Sequence, residues 1–337
     1  MPSKILPLAE SFITTYPKDS NALSIVLQHK EAFGWLLNSF IQLMSYDNTY
    51  LDYYDFYYRN CPLLDRQRIN KSMIAEKTDD MIYFLIDAIN KEYYIYLPIN
   101  TKYISVYQSK GDWAHDVFVY GYDNDNKIFY IADNFDHGKY GKATCTFEEL
   151  ENAIRFLSKE DFNYQGFRGC IELLSYKEEP RARLEPYRIK LSIEDYLESN
   201  PIRGWYVNEL MWDEEETRKR TFGIACYNTI YNHLEFVENK GYFGPGSNQA
   251  FFLMWEHKKT MTMRLKHLMN LRLLKEEDSI SQYMKIEEQA LIALSLKLKY
   301  TAKPERDNLN RIRHYYDTIK AAEEKVLTKL LKQFEEV

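Results

Sequence analysis

The reading of the fold turns on Trp113-Ala114-His115-Asp116-Val117-Phe118-Val119-Tyr120-Gly121-Tyr122-Asp123. After Asn124-Asp125-Asn126 the chain continues as Lys127-Ile128-Phe129-Tyr130-Ile131-Ala132-Asp133-Asn134. Asp116–Tyr122 and Lys127–Ala132 are rich in β-branched and aromatic residues, and the Asp/Asn cluster between them is turn chemistry. The pattern predicts a hairpin spanning Val117–Ala132. Strand period and a tight turn set His115 and Asp133 near the same end of neighbouring strands. A carboxylate there can hold one imidazole nitrogen and leave the other as a base. That is the orienter and base half of a catalytic triad. By itself, a His and an Asp across a hairpin is more often structural, so the surroundings decide.

Working outward, residues 21–44 (NALSIVLQHKEAFGWLLNSFIQLM) are apolar enough for one long buried helix, with Asp19, Ser20 and Asn21 as N-cap candidates. A Tyr/Asp-rich stretch follows to Tyr58, then Cys61-Pro62, where the proline forces extended geometry on the cysteine. A short helix is predicted through Ile74–Asn90, strands at Tyr93–Leu97 and Gly169–Leu174, and a helix opened by Thr146 with Glu148 and Glu149. Tyr176–Lys190, charged and carrying Pro180 and Pro186, reads as a linker. Beyond it the helix candidates are 192–198, 213–238, 248–272, 276–300 and 304–336. Gly244-Pro245-Gly246 is a breaker, and Ser247 or Asn248 is the expected cap. The expected class is α+β, with an α/β domain over 1–180 and a helical domain over 190–337.

Composition narrows the function. A net charge of −6 argues against a nucleic-acid binder, which carries a basic patch or stripe. Cys61, Cys145, Cys170 and Cys226 are scattered without a CxxC pair, which argues against a zinc ribbon and a disulfide framework. There is no signal-peptide h-region and no apolar run of membrane-spanning length, so the expectation is a soluble, cytoplasmic protein without membrane partners. The 29 tyrosines read mainly as core and interface material rather than as a ligand groove.

The passage around His115 resembles the H-x-V-x-V-x-G-Y-D…D-P pattern of bacteriocin-processing (C39-like) cysteine peptidases. It is closer still to the N-terminal domain of the butirosin-biosynthesis acyltransferase family, with Asn134 where the peptidases carry Pro. His29–Leu43 and Asn248–Leu265 are similar to the first-helix and C-terminal helical regions of that group, which includes amide-forming enzymes of thioamide peptide antibiotic biosynthesis. The resemblance implies a papain-like cysteine protease fold. It also implies a cysteine-type acyltransferase or amide synthase of nonribosomal peptide assembly. The acyl group would come from an acyl carrier protein's phosphopantetheine thioester and go to a small amine, with no cofactor. His115 would be the base, Asp133 its orienter, and Asn21, Trp113 and His29 oxyanion or substrate-binding residues. The helical domain would cover the acyl-enzyme, since aminolysis requires water to be kept out. A peptidase of the same fold and a non-catalytic binding protein are the alternatives.

The papain-like nucleophile belongs at the start of the first long helix, where the helix dipole and free N–H groups stabilise a thiolate. That slot falls within Ser20–Ser24 and holds no cysteine. Three readings follow: Ala22 stands where a Cys has been substituted, the protein is a natural pseudoenzyme, or Cys61 or Ser24 serves instead. Among the remaining candidates, Glu256-His257-Lys258 lacks the HExxH zinc spacing and reads as a polar helix face, with no metal expected. Asp136 and His137 read as a second polar cluster at the site mouth. Gly244-Pro245-Gly246 lacks the Lys and the strand–helix context of a phosphate loop.

Overall fold

The computed structural model describes residues 2–77, 81–135, 138–158, 167–201, 219–275 and 277–334. Asp136, His137 and residues 213–218 of an expected helix lie outside them. In chain order the elements are β1 (Ser3–Ile5), α1 (Pro17–Val26), α2 (Ala32–Leu36), β2 (Leu43–Tyr46), β3 (Tyr50–Tyr53), β4 (Leu64–Asn70), α3 (Lys71–Lys77), α4 (Met81–Asn90), β5 (Tyr94–Asn100), β6 (Ala114–Asp123) and β7 (Ile128–Asn134). There follow β8 (Tyr140–Thr146), α5 (Phe147–Arg155), β9 (Cys170–Tyr176), α6 (Pro186–Glu198), β10 (Arg220–Phe222), α7 (Tyr227–Lys240), α8 (Ser247–Asn270), α9 (Glu277–Ala302) and α10 (Arg306–Phe334). Two units emerge: residues 1–30 with 61–181, and residues 31–60 with 182–337. The second boundary falls inside the predicted linker. Residues 31–60, expected in the first domain, group with the helical unit.

The first unit is built on an antiparallel sheet in the order β4-β9-β5-β6-β7-β8, with β1 also paired to β6. The predicted hairpin is present as β6 and β7, with Asp123 opposite Ile128. The Asp123 carboxylate accepts the N–H groups of Asp125 and Asn126, which closes the turn. β6 is buried along nearly its whole length, so its continuous apolar run is that of a central strand covered on both faces. Gly121 is required where β1 crosses, because a Cβ there would lie 2.9 Å from the Lys4 carbonyl oxygen. α1 packs on β7 and β9, α4 on β5 and β6, and α5 on β5 and β8. The Thr146/Glu149 capping box that starts α5 forms as its sequence predicts.

The expected helix over 21–44 is instead two short ones. α1 ends at Val26, turns carry the chain to α2, and Phe40 adopts φ +64° before β2. The Asp55 carboxylate accepts the backbone N–H groups of Phe40, Ile41 and Gln42 and so fixes the turn from α2 into β2. Apolar density is the same for one buried helix as for two buried pieces belonging to different units, which explains the misreading.

The second unit carries the small sheet β10-β2-β3 and the long helices α8, α9 and α10. α8 is capped by Gly246 at φ +77°, not by a Ser247 or Asn248 side chain. Among the described residues, no helix is long and apolar enough to cross a membrane.

Candidate functional site

Phe118 pairs with Ala132 across the hairpin. Extending that register sets Val117 opposite Asp133, so His115 lies on the same face as Asp133, one diagonal step away. The side chains meet: His115 Nε2 is 3.0 Å from Asp133 Oδ2. Asp133 is fully buried. Tyr107 donates its hydroxyl to the same Oδ2, and the Asn134 N–H donates to Oδ1 at 2.7 Å. Three donors stabilise the carboxylate, and an ionised carboxylate accepts only, so Nε2 carries the imidazole proton. Nδ1 is the ring nitrogen turned away from Asp133. The serine-protease triad has the opposite polarity, with Nδ1 toward the carboxylate.

The His115 side chain keeps about a quarter of its surface exposed. Its ring meets that of Tyr107 edge to face at 6.0 Å between centroids, and Asp116 Oδ1 lies 3.8 Å from Nδ1. Asp116 is itself held by the Tyr96 hydroxyl. Tyr107, Asp116 and Tyr96 were missed in the sequence. Asp116 follows His115 directly, but adjacent strand residues are expected on opposite faces. Tyr107 lies in a short turn of 3₁₀-helix and carries no motif.

The same end of β7 and β8 holds the start of α1. Asn134 Nδ2 donates to the Thr15 carbonyl oxygen at 3.1 Å, just ahead of the helix. Tyr140, opposite Asn134 in the β7–β8 register, donates its hydroxyl to Asn21 Oδ1 at 2.7 Å. Burial, and then the nearby Asp133 charge, push the Tyr140 phenol upward, so it stays a donor. Asn21 Nδ2 and Asn134 Oδ1 are buried with no protein partner. A buried unpaired donor or acceptor costs about 1–3 kcal/mol, and such groups call for a water or ligand. The Nδ2 group of Asn21, the residue expected to donate to an oxyanion, therefore has no protein acceptor.

The other predicted residues divide. Trp113, 68% exposed, sits at the mouth of β6. Its backbone is pinned by Asn100 Oδ1 and by the Thr101 N–H. His29 is not on a helix. It lies in the turn after α1, stacked on Tyr176 at 3.3 Å. Tyr94 pairs with Leu174, which sets Tyr176 level with residue 92, whereas His115 is level with Ile99. Seven residues at about 3.4 Å each leave roughly 24 Å along the strand between them, so His29 is not a site residue.

Ala22 is 1% exposed and about one and a half turns inside α1, which starts at Pro17. It is therefore not at the helix N-terminus, where the nucleophile was expected. Ser24 donates its hydroxyl to the Asn21 carbonyl oxygen at 2.7 Å. Cys61 is buried, and desolvation pushes its thiol up to about 12, the opposite of what a nucleophile requires. Cys145 lies on β8, not in a loop, and it and Cys226 are buried with their thiols raised by burial.

Glu256, His257 and Lys258 are buried, not a polar surface face. No family model matches the chain, and no curated protein matches it.

Proposed function

We propose that the first unit is a papain-like acyl-transfer domain in which His115 moves the proton and Asp133 holds the imidazole for that purpose. The observation carrying this reading is the 3.0 Å contact between His115 Nε2 and the fully buried Asp133, with Tyr107 on the same oxygen. The base assigned is Nδ1, on a ring that keeps about a quarter of its surface exposed, at the end of the sheet that holds the start of α1. The substrate class, a carrier-protein thioester and a small amine, comes from the family resemblance.

The residues present support direct transfer. The amine nitrogen attacks the thioester carbonyl and gives its proton to His115 Nδ1. The tetrahedral intermediate collapses with cleavage of the C–S bond, and the imidazolium returns the proton to the departing thiolate. General acid–base catalysis of this kind contributes about 10²–10⁴-fold. The Asn21 amide is the donor available to the developing oxyanion. No acyl-enzyme step is assigned, because Ala22 has no thiol and the Cys61 thiol stays protonated.

A second reading, a binding domain without turnover, is favoured by the burial of every α1 residue from Asp19 to Val26. The test is to incubate the whole chain with an acyl-pantetheine thioester and a primary amine and follow products by mass spectrometry. Amide that disappears in His115→Ala, with no acyl adduct on the protein, is the expected result. Free acid alone would make it a hydrolase, no product would favour the binding domain, and an adduct on Cys61 would overturn direct transfer.

A further inference from the structure

The loop before α8 and the face of α9 line a half-open cavity of about 430 Å³ in the second unit. That volume lies in the range of small-molecule sites. Lys297 of α9 lines it and is 1% exposed. Its ammonium donates to Asn248 Oδ1 and lies 5.0 Å from the centroid of the Phe243 ring. Among the described residues it has no carboxylate partner, and no Asp or Glu lines the cavity. An uncompensated buried charge is costly, and folded proteins pair it or neutralise it. Burial alone lowers this amine from 10.5 to about 8, so at neutral pH it is still largely cationic.

The cavity also takes in the first turn of α8. Gly246, at φ +77°, turns the chain into that helix where a Cβ would lie 2.9 Å from the Thr49 carbonyl oxygen. The Asn248 and Gln249 N–H groups have no carbonyl inside the helix to accept them. This first turn, with the positive end of the helix dipole, lines the same space as Lys297, whose ammonium is held by Asn248 but has no carboxylate beside it. Gly244-Pro245-Gly246-Ser247 lacks a lysine in sequence, and α9 supplies one in space. Tyr242 and Tyr300 add aromatic wall.

We propose that this cavity binds a phosphate group, held by Lys297 and the first turn of α8, with the aromatic wall available to the organic part of a phosphate ester. The proposal is independent of the acyl-transfer reading, since it uses none of the same residues. The test is calorimetric titration of the full-length chain with inorganic phosphate and with phenyl phosphate, alongside Lys297→Met. One site per chain is expected, weakened about tenfold or more in the variant. Without ligand, Lys297→Met should melt higher than wild type, because it removes an unpaired buried charge; a merely structural lysine would melt lower on substitution. Tighter binding of phenyl phosphate would identify an organic phosphate as the ligand, and equal binding a free phosphate. No binding of either anion, or equal binding by Lys297→Met, would overturn the proposal.

Discussion

Each unit buries a carboxylate against a nitrogen base, and the two pairs are finished differently. In the second unit Lys258 Nζ lies 2.6 Å from Glu323, both fully buried. Tyr196, Tyr227 and Tyr283 donate their hydroxyls to the same carboxylate. His257 accepts from Lys258 at Nδ1 (3.2 Å) and donates from Nε2 to the Ile41 carbonyl oxygen (2.8 Å). Burial, then the Lys258 charge, drive His257 down to about 3, so it stays neutral. The donors and acceptors there satisfy one another. In the first unit Asp133 is just as buried, but its partner His115 keeps about a quarter of its side-chain surface exposed. A closed network specifies a structure; an open one can do chemistry.

The largest loss of stability expected from breaking that contrast is in the closed network. Glu323→Ala leaves Lys258 buried without a counter-charge and should cost about 3–5 kcal/mol, read by denaturant unfolding. In the open site, His115→Ala should reduce amide formation by about 10²–10⁴-fold and, because it removes one of the three donors to the buried Asp133, cost about 1.5–3 kcal/mol of stability. Asp133→Asn keeps the shape but removes the charge and frees the imidazole tautomer. It should reduce the rate by up to about 10⁴-fold, with a stability loss of about 1–3 kcal/mol.

A pH experiment sharpens the comparison further. His257 titrates at about 3 in the folded chain against an ordinary 6.5. Between those values the unfolded chain binds a proton that the native one does not, so this group's contribution to stability falls on acidification from 6.5 toward 3. His257→Gln should flatten that limb in acid unfolding curves. Smallest is Tyr107→Phe, which removes one of three donors to Asp133; about 1.5–3 kcal/mol is expected for a hydrogen bond to a charged group, divided between rate and stability.

What the sequence revealed was local. The β6–β7 hairpin, its Asp123 turn and the Thr146 box rest on short-range patterns, and the meeting of His115 and Asp133 follows from them. The break at residues 27–31 falls where the chain passes from one unit to the other, and the turn at Phe40 depends on Asp55; no window of apolar residues contains either. Met44 pairs with Phe222 across a distance in sequence that no pattern announces. Glu256-His257-Lys258 looked like surface because its partner, Glu323, is one turn of another helix far down the chain. In the sequence His29 falls within the helix expected over residues 21–44, with the nucleophile slot at its start, whereas α1 ends at Val26. Tyr107 and the Asn134–Thr15 contact join the site from outside the motif and left no signal in it.

The account rests on which imidazole nitrogen Asp133 holds. Nitrogen NMR of histidine-labelled protein, comparing wild type with His115→Gln for assignment and with Asp133→Asn, reads this directly. The prediction is a proton on Nε2, toward Asp133, and loss of that preference in Asp133→Asn. A proton on Nδ1 in the wild type, or a signal indifferent to Asp133→Asn, would contradict it.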